Sequence, residues 1–91
     1  MSERYNLRIA KTAEKDLIDL PTKRFKQVVS KIFSLQGNPR PQDYKALKGY
    51  EGGYRVDQGE YRILYRIDDE NLLVDIFRVG KRNDDEVYKN L

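Results

Sequence analysis

Tyr54-Arg55-Val56-Asp57-Gln58-Gly59-Glu60-Tyr61-Arg62-Ile63-Leu64-Tyr65-Arg66-Ile67 alternates ring and aliphatic residues with charged ones, the period-2 signature of two half-buried strands joined by a tight turn. With Gln58-Gly59 as the connection, Val56 pairs with Tyr61, Tyr54 with Ile63, and Arg55 lies directly opposite Arg62. One face then carries Tyr54, Val56, Tyr61, Ile63, Tyr65 and Ile67 and is expected to be core. The other carries Arg55, Asp57, Glu60, Arg62, Leu64 and Arg66 and is expected to stay open to ligands. Like charges directly opposed on a sheet cost a few tenths to about 1 kcal/mol. A retained arginine pair therefore points to an anion between the two, with a nucleic-acid phosphate as the candidate. From pairing alone, an ordinary solvated, salt-bridged face explains the same residues.

Upstream, Tyr5-Asn6-Leu7-Arg8-Ile9 alternates as a short strand, and Lys11-Thr12 opens a helix in which Thr12 is placed to cap and Ala13, Leu17 and Leu20 form one stripe. Pro21-Thr22 interrupts it. A second helix is expected from about Thr22 to Gln36, with Phe25, Val28, Val29, Ile32, Phe33 and Leu35 facing the core and Gly37 as the stop. So short a connection suggests an antiparallel helical hairpin. Asn38-Pro39-Arg40-Pro41 cannot continue a helix, and the segment to Gly49 reads as an ordered loop anchored by Leu47. After the hairpin, Asp68-Asp69-Glu70-Asn71 makes a second turn. Leu72 to Val79 is then a last, central strand ended by Gly80, and Asn83 to Asn90 is a candidate terminal helix. The order is strand, helix, helix, three meandering strands and a short C-terminal helix. This is an α+β domain in which a two-helix hairpin packs on one face of an antiparallel sheet.

Ninety-one residues suit one domain, 1–91, with a single modest core. Cysteine and histidine are both absent, which removes disulfides, thiolate metal sites, a cysteine nucleophile and the usual acid/base at neutral pH. Neither a metal nor a cofactor is expected, and catalysis would fall to Arg, Lys, Tyr, Asp or Glu. No apolar run approaches the roughly 18 residues of a membrane span, and no secretion signal is evident, so a cytoplasmic protein away from membranes is expected. Eleven Lys/Arg face six Asp/Glu through residue 53 and seven face nine from residue 54 on, so the halves carry +5 and −2. So mild a basic excess fits a polyanion partner and an ordinary soluble domain alike.

The run Leu47-Lys48-Gly49, Tyr54-Arg55-Val56, Gly59 to Ile67, Val79-Gly80-Lys81-Arg82 and Val87-Tyr88, after a helical pair beginning Ala13-Lys15-Asp16-Leu17 and the turn Asn38-Pro39-Arg40-Pro41, resembles the RelE group of the RelE/ParE toxin superfamily. The similarity covers nearly the whole chain, in order. It implies a fold akin to microbial ribonucleases and a type II toxin that enters the ribosomal A site, cleaves mRNA as an endoribonuclease and so inhibits translation. It implies also a RelB-like antitoxin that wraps the toxin, in a complex that reaches operator DNA only through the antitoxin. Carried over by position, the active residues fall on Arg55, Arg62, Arg82 and Tyr88. Better-studied members have a lysine where this chain has Asp57.

Cutting RNA with side chains alone means activating a 2′-hydroxyl, stabilising charge on the phosphorane and protonating the leaving 5′-oxygen. Arg55, Arg62 and Arg82 suit the middle task, because a guanidinium stays charged and offers several fixed donors. For the same reason arginine is a poor base. Asp57, or Glu60 across from it, is therefore the candidate proton acceptor, against a plain role in neutralising the arginines. Tyr88 is the candidate donor or stacking ring. Lys45, Lys48 and Lys81 are candidate phosphate contacts, and Tyr54, Tyr61 and Tyr65 are assigned to the core. A ParE-like inhibitor of a DNA topoisomerase, and an antitoxin-binding module without catalysis, are the alternatives.

Overall fold

Gly59 and Glu60, rather than Gln58 and Gly59, turn the central hairpin. In the computed structural model, which describes residues 4–81, Gln58 pairs with Tyr61, Asp57 with Arg62, Val56 with Ile63, Arg55 with Leu64 and Tyr54 with Tyr65. Gly59 has φ +60° and Glu60 does not share a positive φ, the pattern of a type II′ turn with glycine first. The ladder is thus slid by two residues from the expected register. Side chains repeat every two residues, so each keeps its expected face while every cross-strand partner changes.

The strands are β1 (Asn6–Ile9), β2 (Lys45–Ala46), β3 (Gly53–Gln58), β4 (Tyr61–Asp68) and β5 (Leu73–Lys81); the helices are α1 (Lys11–Ile18) and α2 (Thr22–Gly37). They form one five-stranded sheet in the order β1-β5-β4-β3-β2. The meander β3-β4-β5 is antiparallel as expected, but β1 lies parallel to β5, so the sheet is mixed. Alternation along a five-residue strand carries no information on direction. The expected loop at Lys45-Ala46 is a two-residue edge strand on β3. Gly80 does not end the last strand but pairs with Arg62 inside the ladder. The candidate helix from Asn83 lies outside the described residues.

Ala13 and Leu17 of α1 and Val28, Ile32 and Leu35 of α2 meet Val56, Tyr61, Ile63, Tyr65, Val74, Ile76 and Val79 of the sheet in one buried cluster. Full burial of each large aliphatic side chain contributes about 1.5–3 kcal/mol. The apolar arc of α2 is wider than the sheet can cover: Phe33 is 53% exposed and Phe25 39% exposed, so both leave the expected core. The Tyr65 hydroxyl donates to the Pro39 carbonyl at 2.7 Å, which ties the proline loop under the sheet. Burial pushes that phenol well above its ordinary pKa. Arg40 grips Asp69 through two nitrogens, 3.1 and 2.7 Å, and Tyr5 donates to the same carboxylate. The Arg40 and Tyr5 hydrogen bonds hold Asp69 down to about pKa 2.

A bulge at Phe77 resets the phase of β5: Leu64 pairs with Arg78, but Tyr65 with Ile76. Val74 and Ile76 face the core before it and Val79 after it. β1 reaches only as far as Ile76, and α1 takes over the bare edge beyond. The Ala10 N–H donates to the Ile76 carbonyl, the Thr12 hydroxyl to the Phe77 carbonyl at 2.6 Å, and the Asp16 carboxylate accepts from both the Val79 N–H and Arg78 Nε at 2.9 Å. Thr12 is therefore no helix cap. Ala10 holds that position in extended conformation without a side-chain bond, while Thr12 and Asp16, one helical turn apart, complete the strand edge.

Candidate functional site

The face of the sheet away from the helices is not the open surface expected from its charges. Leu64, at its centre, is fully buried beneath Leu47, Tyr50 and Phe77, with the Tyr50 and Phe77 rings stacked at 5.1 Å. The loop from Leu47 to Gly53 folds back to make this lid. Gly49 and Gly52 take φ +78° and +79°, and the Gly53 N–H donates to the Tyr50 carbonyl. Gly53 is glycine for a packing reason: a Cβ there would sit 2.4 Å from the Tyr50 ring. The lid divides the face into a hairpin end and an opposite end.

At the hairpin end, β2, β3 and β4 bring Lys45, Arg55, Asp57 and Arg62 onto one side. The expected Arg55–Arg62 opposition is absent, since Arg55 stands across from Leu64 on one side and Lys45 on the other. Arg62 instead faces Asp57, whose Oδ1 accepts from its Nε at 2.9 Å; their side chains are 15% and 32% exposed. A carboxylate on Nε fixes the plane of the guanidinium. Arg55 is half-buried and, among the described residues, its side chain makes no hydrogen bond or ion pair. Gly80, opposite Arg62 on β5, adds no side chain of its own to this end.

Glu60 is not across from Asp57; it is an exposed turn residue. Lys81 pairs with Tyr61, a core-facing residue, so the register sets it on the other side of the sheet from Arg62. Lys48 is exposed on the lid loop, off the strands. Arg82 and Tyr88 lie outside the described residues. Tyr61 and Tyr65 are core as expected, and Tyr54 packs against that core beside Tyr44. Sequence reading missed Tyr50, whose lid role depends on a contact with Phe77 across 27 positions; the three glycines around it are the one local sign of a tight fold-back.

At the opposite end, Arg8, Asp75 and Arg66 stand side by side on β1, β5 and β4. Asp75 is buried, and its Oδ2 lies 3.2 Å from an Arg66 nitrogen. A cleft of about 350 Å³ opens beside them. Among the described residues, no helix is long and apolar enough to cross a membrane.

The profile described as ParE toxin of type II toxin-antitoxin system, parDE, matches residues 7–86. The putative toxin RelE1 of Methanocaldococcus jannaschii is 34% identical over 90 residues, 96% of this chain and 98% of that protein. Toxin RelG of Mycobacterium tuberculosis is 37% identical over 81 residues, 88% of this chain and 93% of that protein. A chain of the toxin–antitoxin complex RelBE2 from Mycobacterium tuberculosis superposes with a TM-score of 0.79 at 38% identity, covering 92% of this chain and 98% of that one. An α+β fold with two helices on a five-stranded sheet, and sequence similarity from end to end, place the chain in the RelE group of the RelE/ParE family of type II toxin–antitoxin toxins.

Proposed function

We propose that this toxin is an endoribonuclease that cleaves mRNA in the ribosomal A site in the bacterial or archaeal cytoplasm and so arrests translation. Its inhibitor is an antitoxin of the RelB kind, as in the complexes formed by its structural neighbours. The observation that carries the reading is the hairpin end of the sheet. Arg62 is held in plane by Asp57, and Arg55 beside it is half-buried with no anion paired to it among the described residues. A half-buried guanidinium without a carboxylate is a ready receptor for phosphate.

In the reaction the substrate's 2′-oxygen attacks the adjacent phosphorus, its proton leaves, and the 5′-oxygen departs with a proton. Arg55 and Arg62 bind the non-bridging oxygens, where charge grows in the transition state, and Lys45 holds a neighbouring phosphate. Because Arg62 is already oriented, little reorganisation is left for the moment of reaction. Asp57 serves first to aim Arg62, and it is the candidate carboxylate base for the 2′-hydroxyl. Arg82 and Tyr88 complete the set as a further phosphate ligand and the leaving-group donor. Lys48 and Lys81 contribute general attraction for the backbone.

Ribosomes programmed with a defined message test this: purified toxin should cut the message at the A site, and Arg62→Ala should not. Intact message after prolonged incubation with folded wild-type toxin refutes it. The ParE description of the matching profile favours a second reading, inhibition of a DNA topoisomerase. Induction in cells separates the two: arrest of protein synthesis with cut messages supports the ribonuclease, DNA damage with filamentation the topoisomerase inhibitor.

A further inference from the structure

Arg8 is the register partner of Asp75 across the parallel β1/β5 ladder, and Asp75 is the partner of Arg66 across the antiparallel β5/β4 ladder. Three adjacent strands therefore present donor, acceptor, donor in a row, at the roughly 4.8 Å spacing of a sheet. The acceptor is unfinished. Asp75 is 8% exposed; its Oδ2 meets Arg66, while its Oδ1 is buried and, among the described residues, has no hydrogen-bond partner. A buried carboxylate oxygen left unpaired is costly, and Asp75 lines the 350 Å³ cleft together with Arg8 and Arg66.

The charges around the cleft select the occupant. Arg8 and Arg66 oppose a cation, and Asp75, with Glu51 on the same lining, opposes a free anion. Asp68, a third carboxylate there, is occupied by the N–H and side-chain amide of Asn71 at 3.0 and 2.8 Å. A neutral group whose edge reads acceptor, donor, acceptor satisfies all three side chains at once. Among the RNA bases only uracil has that edge, O4, N3–H and O2; cytosine, adenine and guanine each present a different order. Ile67 and Leu73 supply apolar contact for the ring.

We propose that this cleft binds a uracil of the RNA lying on the face of the sheet away from the helices, an assignment that rests on the ribonuclease reading for its choice of polymer. Arg66 follows Arg62 by four residues on β4, roughly 13 Å along the strand and on the same face, so one RNA strand reaches both. The N3–H donates to the Asp75 carboxylate, and Arg8 and Arg66 donate to the two carbonyl oxygens.

Titration of the isotope-labelled toxin with uridine, cytidine and 3-methyluridine 5′-monophosphates, followed by NMR, tests the site. Uridine monophosphate should shift amides around Arg8, Gly52 and Asp75 and bind about tenfold tighter than the other two, one of which presents the wrong order and the other no N3–H. Arg8→Ala, at an exposed position, should weaken uridine binding by a similar factor. Equal affinity for all three, shifts confined to Arg55 and Arg62, or an Arg8→Ala protein that binds as wild type would overturn the proposal. The readout does not require cleavage. Uridine-selective binding by a toxin that cuts no message would leave the cleft standing and remove the ribonuclease; cleavage without selective binding would do the reverse.

Discussion

Arg62 is where activity and stability should part most clearly. Its side chain is 15% exposed and its Nε donates to the carboxylate of Asp57, whose side chain is 32% exposed. Truncation to alanine removes the Arg62 Nε hydrogen bond to Asp57, but that carboxylate keeps enough water that the fold should lose only about 1–2 kcal/mol, between the ranges for surface and buried pairs. A preorganised donor aimed at developing charge is worth more: losing one costs about 10²–10³ in kcat, or roughly 3–4 kcal/mol. Single-turnover cleavage on programmed ribosomes, beside urea unfolding of the same protein, measures both. Asp57→Asn sharpens the result, because the amide oxygen still accepts from Arg62 Nε but is no longer basic. If Asp57 only aims Arg62, Asp57→Asn keeps the rate within about tenfold and leaves the pH profile unchanged. If it takes the 2′-proton, the rate falls about 10²–10⁴-fold and the acid limb of the profile disappears. An Arg62→Ala toxin that cleaves within threefold of wild type, or whose loss of activity merely follows unfolding, would refute the argument.

Gly53→Ala should destabilise by about 1–3 kcal/mol in a urea titration, because the new methyl meets the Tyr50 ring and Leu47; an unchanged midpoint would mean that the ring does not cover this glycine. Ile32→Ala, fully buried, should cost about 2–5 kcal/mol, whereas Phe33→Ala, its more than half-exposed neighbour, should cost under about 1. Asp69 has its pKa lowered to about 2 by Arg40 and Tyr5, so it stabilises the fold above the unfolded carboxylate range, and that contribution is lost as pH falls from about 4 through about 2. Acid titration of Asp69→Asn should show a shallower loss of stability in that window; a curve parallel to wild type would count against the Arg40–Asp69–Tyr5 cluster.

Much of the fold could be read from the chain because its strongest signals are periodic. The faces of the hairpin survived a wrong register, since a slip of two residues leaves each side chain where it was. The partners did not survive it. Glycine serves equally as second residue of one two-residue turn and first of another, so Gln58-Gly59 and Gly59-Glu60 are indistinguishable locally. The Asp57–Arg62 pair, the centre of the proposed site, was hidden by that ambiguity. Phe25 and Phe33 carry the helical period as faithfully as Val28 and Ile32; only the width of the opposing sheet decides which are covered. The lid over Leu64 and the Arg8–Asp75–Arg66 row rest on contacts between distant segments, and no local pattern announces them. The strand direction of β1 depends likewise on the path through both helices.

The way α1 finishes the edge of β5 bears on how the molecule behaves when damaged. Thr12 and Asp16 act as surrogate backbone, meeting a carbonyl and an N–H that another strand would otherwise claim. A toxin nicked ahead of Ala13 would lose more than packing. It would expose a half-zipped ribbon, and a second molecule, or the nearest extended peptide, could fasten onto it. The helix is a guard against self-templating, and its detachment should register first as polymerisation rather than as simple melting.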